Sequence, residues 1–279
     1  MSAYALALVL SAAFMHASWN ALVKSATDRA AVLAGVALSH VFVGAALAAM
    51  APLPAMASWP SIAISTATHY AYYLLLFHSY RLGDLSQVYP ISRGIAPALV
   101  ALSAFLLIGE SLSPAGWAGV AAVSAGIGLL ALQRGAASAP RGSVALAVTL
   151  GMCIALYSTA DGIGVRLSES PLGYMGWLFI LEAPVPLAVA LHRHRTRAGV
   201  SRQVVLLGLI GGLLSVSAYG IVLYVKSFAP LGAVSAVRES SVIIAALMGV
   251  VLFGERPWKG RITAAAIVAG GVMALAAGS

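Results

Sequence analysis

Five ionisable side chains stand inside apolar runs of this 279-residue chain: Arg93, Asp161, Glu182, Arg238 and Glu239. A charge in hydrocarbon costs several kcal/mol, so such a group faces a cavity or a partner. Arg93 and Arg238 each fall about eight residues into their segment, roughly 12 Å deep at about 1.5 Å per helical residue. A guanidinium fork matches carboxylate, phosphate or phosphonate, so the two arginines are a candidate anion clamp. The alternative is structural: either could pair with Glu182 or Glu239 and hold helices together. Arg238 and Glu239 are adjacent, about 100° apart on a helix, and are not expected to serve one simple pair.

Glu182 precedes Pro184 and Pro186. Prolines release backbone carbonyls and bend a helix, and a buried carboxylate beside a bend is a candidate proton carrier, as is Asp161. His16 and Asn20 are four residues apart, as are Tyr157 and Asp161. That spacing puts each pair on one helix face, where it can line a polar cavity or bond across to a neighbouring helix. Tyr89 joins the candidates for solute binding. His69 and Tyr73 repeat the spacing, with Tyr72 alongside, but His69 reads as a packed or interfacial histidine. His40 and His78 carry less signal still, and His192 and His194 belong to a basic loop.

Other chemistries find no support. There is no His-Glu-x-x-His, no metal-spaced histidine set and no nucleophile with an adjacent base in a recognisable motif. The single cysteine, Cys153, excludes an intramolecular disulfide and a cysteine metal cluster. Neither metal, cofactor nor enzymatic activity is expected, and no nucleotide-binding loop offers direct ATP drive. A channel would show a filter or a ring of like residues.

The elements that must position these groups are helices. Hydrophobic residues make up 61% of the chain and charged ones 9%, far from a soluble composition. Runs of about twenty apolar residues match the roughly 30 Å of hydrocarbon a helix must cross. The runs predict ten spans, at 3–24, 30–51, 59–80, 85–108, 114–133, 143–165, 171–191, 203–227, 231–253 and 259–277. Breakers fill the gaps: Pro52 and Pro54, Gly83-Asp84, Ser113-Pro114, Pro140-Arg141-Gly142 and Pro230. Twelve of the sixteen lysines and arginines fall in or beside the odd gaps, from Lys24 and Arg29 to Arg256, Lys259 and Arg261. Arg166 and Lys226 are the even-gap pair. The positive-inside rule then puts the odd gaps in the cytoplasm and both termini outside. It also accounts for the net charge of +8 without a nucleic-acid partner. Trp117, Trp258 and Tyr174 are expected at interface belts. Gly116, Gly119, Gly126, Gly208, Gly212, Gly270 and Gly271 are expected to permit close helix packing.

The chain also resembles itself. At an offset of 145, Arg93 falls on Arg238, Gly109-Glu110 on Gly254-Glu255 and Gly126 on Gly271. Near an offset of 141, His16 and Asn20 fall on Tyr157 and Asp161. Each half holds five spans, and an odd number makes the second copy enter upside-down. Inverted repeats meeting at the midplane are the plan of many secondary transporters.

With five-helix halves, each closing on Gly-Glu and a glycine-bearing last helix, the chain resembles the EamA-type branch of the drug/metabolite transporter superfamily over essentially its whole length. The stretch 16–20 (His-Ala-Ser-Trp-Asn) and Tyr89-Pro90-Ile-Ser-Arg93-Gly94 also resemble permeases linked to phosphonate utilisation. Ser235 takes the place of Pro90 in the second copy and leaves a matching kink open there. The resemblance implies an all-α membrane protein, with ten helices as two inverted EamA-like repeats, 1–135 and 136–279, around a central cavity. Its fifth and tenth helices would pack peripherally. It implies a multi-pass protein of the bacterial inner membrane that moves a small polar metabolite, anionic or zwitterionic, by alternating access. A multidrug exporter of hydrophobic cations is the alternative, and a channel a more distant one. The expected partners are the solute and the bilayer, with oligomeric state left open, a monomer included.

Overall fold

The computed structural model describes the backbone of residues 1–82, 85–133, 135–194, 201–253 and 258–278. Side chains are described over the same residues except 77–82, 85–89, 189, 190, 193, 194, 252 and 253. The described residues form eleven α-helices and two short 3-10 turns, with no strand among them. The helices are α1 (Ala3–Ser25), α2 (Arg29–Met50), α3 (Trp59–Leu82), α4 (Leu85–Ile108), α5 (Pro114–Gln133) and α6 (Arg141–Leu167). They continue as α7 (Pro171–Glu182), α8 (Pro184–His194), α9 (Arg202–Lys226), α10 (Leu231–Phe253) and α11 (Trp258–Ala277). Side chains close several N-termini: Ser2 accepts from Ala5 N–H, Asp28 from Ala31, Ser170 from Gly173 and Ser201 from Val204.

Eight helices among the described residues are long and apolar enough to cross a membrane: α1, α2, α4, α5, α6, α9, α10 and α11. They make this a multi-pass membrane protein. With α3 and the α7–α8 segment they fill the ten places expected from the apolar runs. The third helix is polar along one stretch, with Ser61, Ser65, Thr68 and His69 buried. One of those expectations needs correction. The seventh is not one helix over 171–191: α7 stops at Glu182 and α8 begins at Pro184, because Pro184 and Pro186 cannot donate to the preceding turn.

Small residues hold the bundle. Lipid tails are as apolar as leucine, so close backbone approach and dispersion replace the hydrophobic drive. The long α5–α11 seam shows this. A Cβ on Gly119 would lie 2.7 Å from the Gly271 carbonyl, and one on Gly126 would lie 2.7 Å from Val268. Gly35 and Gly208 make the same kind of contact between α2 and α9. Gly270 does not: nothing lies within 4 Å of its added Cβ, and Gly116 meets only Leu112 and Ser113, just before its own helix. Large side chains point outward instead, among them Phe42, Leu106, Leu107 and Val251, where acyl chains would cover them. Trp258 is half-exposed, in keeping with an interface position, but Tyr174 is fully buried and belongs to the interior.

Other pairings are α4 with α6 and α1 with α10, α3 with α6 and α1 with α9, and α2 with α7 and α4 with α10. Exchanging the first five spans for the last five maps this pattern onto itself.

Candidate functional site

The buried polar groups separate into two clusters. The first lies where α1, α4 and α10 converge. Arg93, 2% exposed, comes from α4 just past Pro90, and its Nε is 2.7 Å from Glu239 Oε2. The other carboxylate oxygen accepts from Arg238 Nη1 at 2.8 Å. Adjacent residues were not expected to pair, yet the long arginine side chain folds back onto its neighbour. One carboxylate thus holds two guanidinium groups, one from each half of the chain, and the three side chains carry a net charge of one positive. Glu182 pairs with neither arginine in any described ion pair.

Beside this triad lies a cleft of about 190 Å³. Its polar lining is His16, Asn20 and Lys24 from α1, Arg93 from α4 and Ser241 from α10. His16 is in electrostatic reach of both arginines, and its Nδ1 accepts from Trp19 Nε1 at 3.3 Å. The Asn20 amide donates to the His16 carbonyl at 2.7 Å. Ser241 Oγ is buried with no hydrogen-bond partner among the described residues. A buried hydroxyl in that condition costs stability unless something else satisfies it. The cleft residues come from the C-terminal part of α1, the N-terminal part of α4 and the C-terminal half of α10. All three adjoin odd gaps, so the cleft lies toward one end of the bundle.

At the opposite end, a knot joins the termini of four helices, α4, α6, α9 and α10. Glu110 follows Gly109, whose φ of 67° favours glycine. Its carboxylate accepts from the Leu231 N–H at the start of α10 and from Arg166 Nη1 at 2.9 Å. Arg166 also donates to the carbonyls of Lys226 and Ala229, each at 2.8 Å. The Gly109-Glu110 pair is therefore structural, as expected; Gly254-Glu255 and Gly83-Asp84 lie outside the described residues.

The second cluster lies among α2, α3, α6, α7 and α9. Glu182 is 3% exposed. His40 Nδ1 lies 2.7 Å from its Oε1, and His69 Nε2 lies 3.5 Å from its Oε2. His40 Nε2 reaches Ser215 Oγ at 3.1 Å, and His69 Nδ1 reaches the Ser65 carbonyl at 2.9 Å. The Tyr157 ring stacks on His69 with centroids 4.0 Å apart. Asp161, fully buried, accepts from Tyr174 at 3.1 Å and from Tyr219. Lys226 donates to Ser158 Oγ at 2.7 Å and to the Ser158 carbonyl at 2.8 Å.

The candidate residues are thus divided. His16, Asn20, Arg93, Arg238 and Glu239 come together, whereas Tyr157 and Asp161 join Glu182 instead of the cleft. The side chain of Tyr89 lies outside the described residues, as does that of His78. His192 is exposed. Sequence reasoning passed over His40 and His69, the two direct partners of Glu182. A signal existed for His40: Ser39-His40 is the polar interruption at the middle of an otherwise apolar α2, and such a group demands a partner.

Comparison with known proteins finds similarity to transporters in part of the chain. Residues 141–277 match the EamA-like transporter family. A curated relative, the "uncharacterized transporter in cobO 3'region" of Sinorhizobium sp, is 35% identical over 75 residues, 27% of this chain. The match spans about half of that relative's length, 52%. A solved crystal structure shares the fold at a TM-score of 0.72 and 17% identity, covering 98% of this chain and 96% of that one. Over residues 141–277, helices α6 to α11, the family match agrees with the resemblance drawn from the sequence.

Proposed function

We propose that the protein is a secondary transporter for a small polar metabolite bearing an anionic group. The observation that carries this reading is the cleft: it is lined by Arg93, whose guanidinium shares the Glu239 carboxylate with Arg238. The excess positive charge, with Lys24 added, favours an anion. Guanidinium recognises carboxylate, phosphate or phosphonate through paired hydrogen bonds. His16, Asn20 and the unpartnered Ser241 hydroxyl would orient the rest of the solute. A zwitterion is also accommodated, although Glu239 is the acid nearest the cleft, Asp161 and Glu182 being held elsewhere.

Alternating access is supported by the asymmetry of the two ends. The cleft lies toward the odd-gap end, while Glu110 and Arg166 tie the other end shut. Two inverted repeats, 1–135 and 136–279, supply the rocking halves, and the self-mapping helix pairs support that division. The arginine bias supports a cytoplasmic odd-gap end, periplasmic termini and a bacterial inner-membrane location. The cleft is then inward-facing. The bilayer and the solute are the partners this reading requires, and no chemical conversion of the solute is part of it.

The test is a stabilisation screen on purified protein with small carboxylates, phosphonates, amino acids and hydrophobic cations. Anion-bearing solutes should raise the melting temperature of wild type. Arg93→Lys and Arg238→Lys, which keep charge but lose the fork, should weaken that response. Stabilisation by hydrophobic cations alone, unchanged in both variants, would instead make the protein a multidrug-type exporter.

A further inference from the structure

The second cluster has a chemistry of its own. Glu182 is the last residue of α7, and after one intervening residue, Ala183, the chain restarts as α8 at Pro184. The carboxylate therefore sits at the break of the seventh span. His40 reaches it from α2 and His69 from α3. Tyr70, also on α3, donates its hydroxyl to the Leu181 carbonyl at the same break. Three helices are pinned there by groups able to gain or lose a proton.

The tautomer of His69 follows from its neighbours. Its Nδ1 lies 2.9 Å from the Ser65 carbonyl oxygen, which can only accept, and 3.3 Å from the Ser65 hydroxyl, which can also donate; the shorter contact favours the hydrogen on Nδ1. A neutral His69 then turns a bare Nε2 toward Glu182 Oε2, 3.5 Å away. Two acceptors facing each other gain one charge-assisted hydrogen bond when a single proton arrives. His40 differs: at 2.7 Å its Nδ1 is already in a short contact with the other oxygen.

The remaining groups in reach are tyrosines and one acid. Tyr73 from α3, Tyr174 from α7 and Tyr219 from α9 all lie in electrostatic reach of Glu182. Tyr157 from α6 covers the face of His69. Asp161 from α6 has both oxygens occupied by the Tyr174 and Tyr219 hydroxyls, and Lys226 lies beyond it, within electrostatic reach. The one titratable side chain of α8 described, His192, is exposed.

We propose that His40, Glu182 and His69 form the proton-binding site that drives transport, acting at the hinge between α7 and α8. The proton enters from water, sits between Glu182 Oε2 and His69 Nε2, and leaves to water on the other side, with no other bond made or broken. Its arrival draws α3 onto the end of α7, and its departure loosens the hinge. Asp161, braced by two phenols, is a structural acid and not the carrier. The site rests on the transport reading for its purpose but not for its chemistry.

The test needs no solute. Infrared difference spectra of the purified full-length protein would be recorded on acidification from about pH 8 to about pH 5, the interval in which imidazole ordinarily changes its charge. Carboxylic-acid and imidazolium bands report where the proton goes. The protonation change of wild type should be lost in Glu182→Gln, reduced in His69→Gln and kept in Asp161→Asn. A thermal melt of each variant confirms folding, and His69→Gln serves where Glu182→Gln fails to fold. A change kept in full by both Glu182→Gln and His69→Gln, or lost only in Asp161→Asn, overturns the proposal. Failure of the stabilisation screen above would leave this result intact, so the two readings fail separately.

Discussion

Glutamine in place of Glu239 removes one charge and little volume. In wild type the carboxylate lies 2.7 Å from Arg93 and 2.8 Å from Arg238, and it is 1% exposed. Deleting one partner of a buried ion pair costs roughly 3–5 kcal/mol, because the remaining charge stays buried without compensation. Here two guanidinium groups lose their shared counter-charge. At roughly 2–4 °C per kcal/mol, the melting temperature in detergent should fall on the order of 10 °C. An added anion bound in the cleft beside Arg93 should then supply the missing counter-charge. A ligand at about one hundred times its Kd returns about 2.7 kcal/mol, so acetate or methylphosphonate should restore much of the loss. The same anions should stabilise wild type less, since they compete with Glu239. The assay is a thermal melt of both proteins across an anion titration at constant ionic strength. A Glu239→Gln variant that melts with wild type and gains nothing from anions would refute this account of the triad.

Other consequences follow from the fold. In a Cys153→Ala background, Ser2→Cys should react with an impermeant thiol reagent outside intact spheroplasts; reaction only after permeabilisation would invert the topology. Gly119→Val should destabilise the α5–α11 seam by about 1–3 kcal/mol, as overpacking does, because its Cβ would lie 2.7 Å from the Gly271 carbonyl; an unchanged melt would contradict that packing. Glu110→Gln should loosen the knot at the closed end and raise the labelling rate of Ser235→Cys, which is 2% exposed; an unchanged rate would show that the knot does not hold that end.

The sequence made the helices legible because hydrocarbon imposes a simple length rule. Span limits at 85–108, 114–133 and 231–253 coincide with α4, α5 and α10. Pro184 and Pro186 announced a bend, though not that the helix stops outright. The arginines were visible as costly residues, and their mirrored depths pointed to one site. Partner choice was not visible. Glu182 meets His40 and His69 from helices distant in sequence, and no periodicity within one span reports which faces meet across a bundle. Tyr174 shows the same limit: an aromatic near a helix start fits an interface belt, yet here it turns inward to Asp161. Arg238 and Glu239 failed a purely angular estimate because the reach of a long side chain exceeds the separation of neighbouring Cβ atoms.

The central claim is that the Arg93 cleft binds the anionic group of the transported solute. It is tested most directly by counterflow in proteoliposomes, using the anion-bearing solute that best stabilises the protein. Wild type should show saturable counterflow. Arg93→Lys should need about tenfold more solute for half-saturation, equivalent to about 1.4 kcal/mol, while its melting temperature stays close to that of wild type. Equal half-saturation in the two proteins, or counterflow of hydrophobic cations alone, would contradict the claim.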